Sequence, residues 1–350
     1  MLVKILFVCM FVTVGISEKI RYDNYALYKV HTENDEDVKH LAELQENYKE
    51  LDFWKTATKA GDYASVVIPP VFREQFERSL KKRSIQSDLM VENIQEAFDA
   101  QLASRRKRDT RDGLYWTGYQ TMEDINNWFN SLVQNNSNVV SLINLGMTYE
   151  DRNITGVRIS RGTGNRHIVL EAGEIAADWL SPTVLTYIIN ELVQGTDPEA
   201  KAASENFVWH IFPLLNPDGH EYSQNYDRLW IKNRTFKRAA WEVNLSKNWN
   251  SQWGIIGANF TGESNDFAGH GPFSESETRF LSRYIESISE NLVGFFSFRG
   301  FGQRLLIPFA HTTEPLYNYN EMLTIGRRAM GSLSVKYNTN YQVGTSAQVH

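Results

Sequence analysis

The chain has 350 residues, 42% of them hydrophobic and 13% aromatic, enough to bury a large core and to form more than one domain. A formal net charge of −6 excludes a broad basic face, so no nucleic-acid partner is expected. The single cysteine, Cys9, excludes a disulfide framework and any cysteine-based catalysis or metal binding further along the chain.

The N-terminus carries Lys4, an apolar run from Ile5 to Ile16, and the small residues Gly15 and Ser17. That run is too short to span a bilayer comfortably and has the layout of a cleaved secretory signal, predicted over 1–17. No later stretch reaches the length of a membrane span, so the expectation is a secreted, extracellular protein with no membrane partner. Glycosylation acceptor patterns at Asn135, Asn153, Asn233, Asn244 and Asn259 fit that route.

Residues 18–104 are expected to form a small separate unit. "YALYKVHT" has the alternation of a strand, and "DEDVKHLAELQENY" predicts a helix with Val38, Leu41 and Leu44 on one face. "YASVVIPP" is a second strand, and "FREQFERSL" a second helix with Phe72, Phe76 and Leu80 spaced by four. This is a small α+β pattern, a strand layer with helices on one side. Arg105, Arg106, Lys107 and Arg108 follow as an uninterrupted basic run over 105–108, either a solvated linker or a processing site cut after Arg108.

From Asp109 onward strands and helices alternate. "TMEDINNWFNSLV" predicts a helix capped by Thr121, with Ile125, Trp128, Phe129 and Leu132 facing inward. "VVSLINLG", "ITGVRISR" and the buried "HIVLEAG" are strands, and a helix starts at Ser181-Pro182. "NFVWHIFPLLN" is another buried strand, closed by a turn at Asn216-Pro217-Asp218-Gly219. "SESETRFLSRYIESI" and "NEMLTIGRRAMGSLSVKY" are helical, with strands at "LVGFFSFRG" and "RLLIPFA" between them. Long apolar strands covered by helices predict a mixed α/β sandwich over 109–350.

In this order, "DWLSPTVLTYIINELV", "FPLLNPDGHEYS", "DRLWIKNRT", "KNW" and "FGQRLLIPFA" make the chain resemble the secreted zinc carboxypeptidases of the A/B type. The resemblance implies an α/β fold with a mixed-sheet, carboxypeptidase-like sandwich carrying helices on both faces. It also implies a preceding ferredoxin-like α+β activation peptide, and a catalytic domain over 109–350 that lacks its C-terminal end. The general-base glutamate, the mobile tyrosine and the floor of the specificity pocket would lie in that missing part.

Active members of the family hold zinc with a His-x-x-Glu turn and a second histidine, leaving one position open for water. The resemblance places these ligands at Ile175, Asp178 and Arg299. Isoleucine has no donor atom, and arginine stays protonated. The oxyanion-polarising arginine falls on Ile231, and the arginine beside the metal-binding glutamate falls on Ala177. The carboxylate clamp falls on Ser246, Lys247 and Asn248, with a lysine where a two-pronged arginine is the rule. His167, His210, His220, His270, His311 and His350 stand at none of the ligand positions.

The expectation is therefore a zymogen-like homologue without peptidase activity and without a cofactor. Its expected partners are its own pro-domain and the C-termini of peptides or proteins. An Asp178–Arg299 ion pair, with Glu174 within reach, is expected to fill the volume of the metal, since a lone buried carboxylate is costly. The alternative is an active zinc metallocarboxypeptidase using unusual ligands. A third reading, a structural glycoprotein, uses only the fold.

Overall fold

The computed structural model describes residues 18–106, 114, 116–162, 164–235, 241–255 and 257–346. The expected signal over 1–17, and Lys107 and Arg108 of the basic run, lie outside the described residues.

The first unit runs β1 (Ala26–His31), α1 (Asp35–Asn47), β2 (Asp52–Lys55), β3 (Tyr63–Ile68), α2 (Pro70–Lys82) and β4 (Ser87–Val91). Its strands pair antiparallel in the order β2-β3-β1-β4, the βαββαβ arrangement of a ferredoxin-like layer. Helix α1 starts where the Asn34 side chain accepts from the Asp37 amide, with three acids in the first turn at the positive end of the helix dipole. Helix α2 starts on Pro70, whose missing N–H is no loss there. Leu41, Leu44, Phe76 and Leu80 press these helices onto Tyr28, Val30 and Val66 of the sheet.

Helix α3 (Ile94–Arg106) follows and corrects one expectation: Arg105 and Arg106, predicted to open a linker, are the last residues of a helix. Alanine, leucine and arginine in "AFDAQLASRR" are good helix formers, and cations suit a helix C-terminus.

The second unit runs α4 (Met122–Asn135), β5 (Val140–Met147), β6 (Asn153–Ile159), β7 (His167–Glu171), α5 (Leu180–Gln194), α6 (Pro198–Asn206) and β8 (Val208–Phe212). It continues with α7 (Pro217–Asn225), α8 (Ser276–Ser287), β9 (Leu292–Ser297), β10 (Arg304–Ile307), α9 (Tyr319–Tyr337) and β11 (Gln342–Thr345). Five strands form a mixed sheet in the order β5-β6-β8-β7-β9; β8, β7 and β9 run parallel, and β5 and β6 antiparallel. Strands β10 and β11 pair parallel on their own.

Alternation along the strands divides the core into two layers. Val157, Ile168, Leu170 and Ile211 face α4 and α5 through Ile125, Phe129, Leu185 and Ile189. Ile154, Val169 and Phe212 face Leu281 of α8 on the other side. Both faces of the sheet are thus covered. Thr121 caps α4 as expected, and the Asp124 side chain answers by accepting from the Thr121 amide. The turn expected at 216–219 is instead the start of α7: the Asn216 side chain accepts from the Gly219 amide at 2.9 Å, with Pro217 at the first helical position.

Replacing Phe129 by alanine is expected to lower the unfolding free energy by about 3–5 kcal/mol, because the cavity lies between α4 and the sheet. Thr121→Ala is expected to cost about 1 kcal/mol. Urea unfolding of both variants checks this; equal losses at the two sites would contradict the assignment of core and cap.

Candidate functional site

Parallel strands β7, β8 and β9 deliver three chain segments to one end of the sheet, where open α/β sheets place ligands. Beyond β7 the chain turns at Gly173, whose φ of +67° is left-handed and whose missing Cβ would stand 2.9 Å from the Pro213 carbonyl oxygen. The turn is fastened to the segment after β8 by the bonds from the Leu215 amide to the Ala172 carbonyl and from the Asn216 amide to the Gly173 carbonyl, both 3.0 Å. The Asn216 side chain also donates to the Glu174 carbonyl at 3.1 Å. Glu174 is fully buried.

Arg299 arrives just past the end of β9. Its guanidinium donates to both Glu171 oxygens, at 3.1 and 3.4 Å, and to Glu174 Oε2. Trp249 Nε1 donates to the other oxygen of Glu174. Glu171 and Glu174 are 1% and 0% exposed while the Arg299 side chain is 34% exposed, so the guanidinium bridges two buried carboxylates from a partly wet edge. Burial pushes the Glu171 carboxyl up to about 7, against the pull of Arg299. Burial also works to lower the Arg299 guanidinium, but Glu174 and Glu171 outweigh it and hold it above its usual value.

The expected Asp178–Arg299 pair is not formed; this is a correction. Asp178 Oδ1 accepts from the Leu180 and Ser181 amides, both at 3.1 Å, and Oδ2 from Ser181 Oγ at 2.5 Å and the Gly300 amide at 2.6 Å. It sits at the N-terminus of α5, where four donors and the helix dipole already balance its charge. Glu171 and Glu174 are buried with fewer donors, so the guanidinium goes to them.

Between this floor and the first unit lies a cavity of about 1170 Å³. Ile175, Ala177, Asp178 and Ile231 line one side, and Asp52 and Trp54 of β2 the other. Arg228, unremarked in the sequence, lies 3.7 Å over the Trp179 ring. It donates to the Ala177 carbonyl at 2.8 Å and to Gln101 Oε1 at 3.3 Å. Burial pushes it down to about 10.

The expected clamp is mostly committed elsewhere, a second correction. Asn248 is fully buried; its amide donates to the Ala268 and Gly271 carbonyls and to Ser274 Oγ, and its oxygen accepts from Thr278 Oγ1 at 2.7 Å. It ties α8 to the preceding loop. The Ser246 hydroxyl is held by Asn244 Oδ1 at 2.7 Å. Lys247 alone keeps a half-exposed cation, with Asp266 at 3.9 Å.

Two of the acceptor asparagines are also closed to modification in this fold. Asn233 is 0% exposed and its amide donates to Glu275 Oε2 at 2.9 Å; Asn244 is 3% exposed and its amide donates to the Asn265 carbonyl at 2.9 Å. A three-residue pattern carries no information about burial. Asn135, Asn153 and Asn259 are exposed.

Arg299→Met is expected to destabilise the protein by about 1–3 kcal/mol at neutral pH, because it takes the cation from two buried carboxylates at an edge where water screens part of the loss. The loss should shrink at pH 5, where Glu171 takes up a proton; equal losses at both pH values in urea unfolding would contradict the pairing. Burial likewise pushes Glu277, on α8, up to about 7 from an ordinary 4.5. Between those values the folded chain binds a proton that the unfolded chain has lost, so stability falls as pH rises from about 4.5 to 7 and levels off above. Glu277→Gln should flatten that slope by up to about 1.4 kcal/mol per pH unit, read from unfolding midpoints across the range.

Comparison with known proteins adds relatives to this geometry. Residues 125–350 match the zinc carboxypeptidase family, and residues 28–101 the carboxypeptidase activation peptide. The chain is 32% identical to zinc carboxypeptidase A 1 of Anopheles gambiae over 333 residues, covering 95% of this chain and 77% of that one. It is 32% identical to carboxypeptidase O of Bos taurus over 237 residues, covering 66% and 63%. Among solved structures, carboxypeptidase A from Helicoverpa armigera superposes with a TM-score of 0.83 at 26% identity, covering 95% of this chain and 83% of that one. Thrombin activatable fibrinolysis inhibitor reaches 0.84 at 18% identity, covering 93% and 84%, a likeness of fold alone.

Proposed function

This chain belongs to the zinc carboxypeptidase family and carries the family's activation peptide, and from that premise we propose that it is a secreted, zymogen-like carboxypeptidase A homologue without peptidase activity. The observation that carries the reading is the engagement of Arg299 with Glu171 and Glu174 at the end of β9. A permanently charged guanidinium, lodged where the resemblance puts an imidazole ligand, offers no lone pair and repels a divalent cation.

The other ligand-equivalent positions support the same reading. Ile175 has no donor atom, and each Asp178 oxygen already accepts two hydrogen bonds. These residues do not fit zinc, whose sites need three or four nitrogen, sulfur or oxygen donors. Ile231, lining the cavity where the oxyanion arginine is expected, provides no donor for a developing negative charge. Secretion is supported by the signal-like layout of 1–17, and chain processing by the basic run ending at Arg108.

Binding of peptide C-termini rests on Lys247 alone, since Ser246 and Asn248 are committed to the fold. A single ammonium shared with Asp266 gives a loose, salt-sensitive grip.

Two measurements on the chain after cleavage past Arg108 test the proposal. Metal analysis is expected to find far less than stoichiometric zinc, and a chromogenic C-terminal substrate to show no turnover that a chelator abolishes. Stoichiometric zinc together with chelator-sensitive turnover would overturn it. Peptide binding that is indifferent to amidation of the terminal carboxylate would remove the C-terminus reading while leaving the first part standing.

A further inference from the structure

We infer, building on the secretory route proposed above, that Asn259 is an N-glycosylation site whose glycan forms part of the mouth of the cavity between the two units. The cleft then takes the end of an extended chain and turns away the terminus of a folded protein.

Of the five acceptor patterns, Asn259-Phe260-Thr261 is the one whose asparagine is exposed and also lines the cavity. Asn233 and Asn244 are buried with their amide nitrogens bonded. Asn135, the last residue of α4, and Asn153, the first of β6, are exposed but do not line it. The local geometry at Asn259 suits transfer. Its Oδ1 accepts from the Thr261 amide at 2.7 Å, a turn closed within three residues, and among the described residues nothing accepts from its Nδ2. Such a turn needs no tertiary contact, so it is open to a chain that has not yet folded. In the transfer, Nδ2 bonds to the anomeric carbon of an oligosaccharide carried on a lipid diphosphate. The bond from that carbon to the diphosphate oxygen breaks, the diphosphate leaves with the electron pair, and a base of the transferase takes one amide proton.

The fold holds the root of that glycan in place. The Asn259 amide bonds to the Asp266 carbonyl at 2.9 Å, and the Ala268 amide to the Asn259 carbonyl at 3.1 Å, with Phe267 buried between them. Lys232, itself buried, donates through Nζ to the Gly262 and Ser264 carbonyls at 3.0 and 3.4 Å and ties down the rest of the loop. The loop from Asn259 to Asp266 is therefore a fixed bank of the cavity, with Thr261, Glu263 and Ser264 beside Asn259. Lys49, Asp52 and Trp54 of the first unit supply another.

Phe260, next to the attachment point, is 57% exposed and edge-to-face with Trp253, the ring centroids 5.3 Å apart. It offers an apolar face for a pyranose ring to cover. A bulky, hydrated group on this bank narrows the way in without filling a cavity of about 1170 Å³. A slender chain end passes, and a globular surface does not.

To test this, the full chain is expressed in a eukaryotic cell line, and the protein in medium and cells is freed of N-glycans by an amidase in heavy-oxygen water and mapped by mass spectrometry. Asn259 is expected to be converted to labelled aspartate in most secreted chains. An unmodified Asn259 in secreted chains would overturn the inference and leave the secretory route standing, whereas a chain kept in the cell without glycans would overturn both. The effect on the mouth is read with a single thiol. Cys9 lies in the expected signal, so Leu180→Cys, at a half-exposed lining position, puts one reactive group in the cavity. In that background Thr261→Ala removes the acceptor pattern and Thr261→Ser keeps it. A small maleimide should label both at the same rate, and a maleimide on a long polyethylene glycol chain should label Thr261→Ala roughly 10-fold faster. Equal rates for the long reagent would overturn the role of the glycan at the mouth.

Discussion

The constraint on which the end of this sheet depends is the burial of two carboxylates beneath one cation. Glu171 closes β7 and Glu174 follows it on a turn that only a left-handed Gly173 permits. Ionised and unpaired, each would cost several kcal/mol in such surroundings. Arg299 meets both, and the Trp249 indole takes up a further lone pair. The cation count still falls one short, and the proton held by Glu171 up to about 7 makes up the difference.

That pairing organises what lies around it. Arg299 fixes the chain leaving β9, so the next amide, Gly300, reaches Asp178 at the head of α5. A Cβ on residue 300 would stand 2.6 Å from an Asp178 oxygen, so glycine is the residue that fits this close approach. Asp178 in turn caps α5. The three segments are thus joined by a guanidinium, a helix cap and backbone amides. Each donor used in this way is one fewer available to a ligand.

Much of the fold was legible because its signals are local. Thr121 with an acid three residues on, Pro70 and Pro182 in first turns, and alternating valines and isoleucines all act within a few residues. Strands β2 and β4 are short, and β4 is largely exposed, so neither carries a strong pattern. Helix α6 has few apolar residues to mark a face. The partner of Arg299 was beyond reach for a different reason. Parallel pairing sets Glu171 opposite Ser297 across 126 positions of sequence, and that register is made by the sheet as a whole. Within "HIVLEAG" Glu171 reads as the polar end of an apolar strand. Asn248 misled in the opposite direction: its motif position suggested a ligand, while its amide and oxygen stitch α8 to a loop.

The two units of the chain answer different demands with the same economy. Contacts between the units include the Tyr22–Asp227 bond and the packing of Leu229, and Leu229 also lines the cavity between them. Behind the lining residues Asp178 and Gly300 lies the ion cluster of Arg299, Glu171 and Glu174. Trp54 and Asp52 of the pro-domain form one wall of the cleft. Any selectivity of the cleft involves that wall together with Ile175 and Ile231.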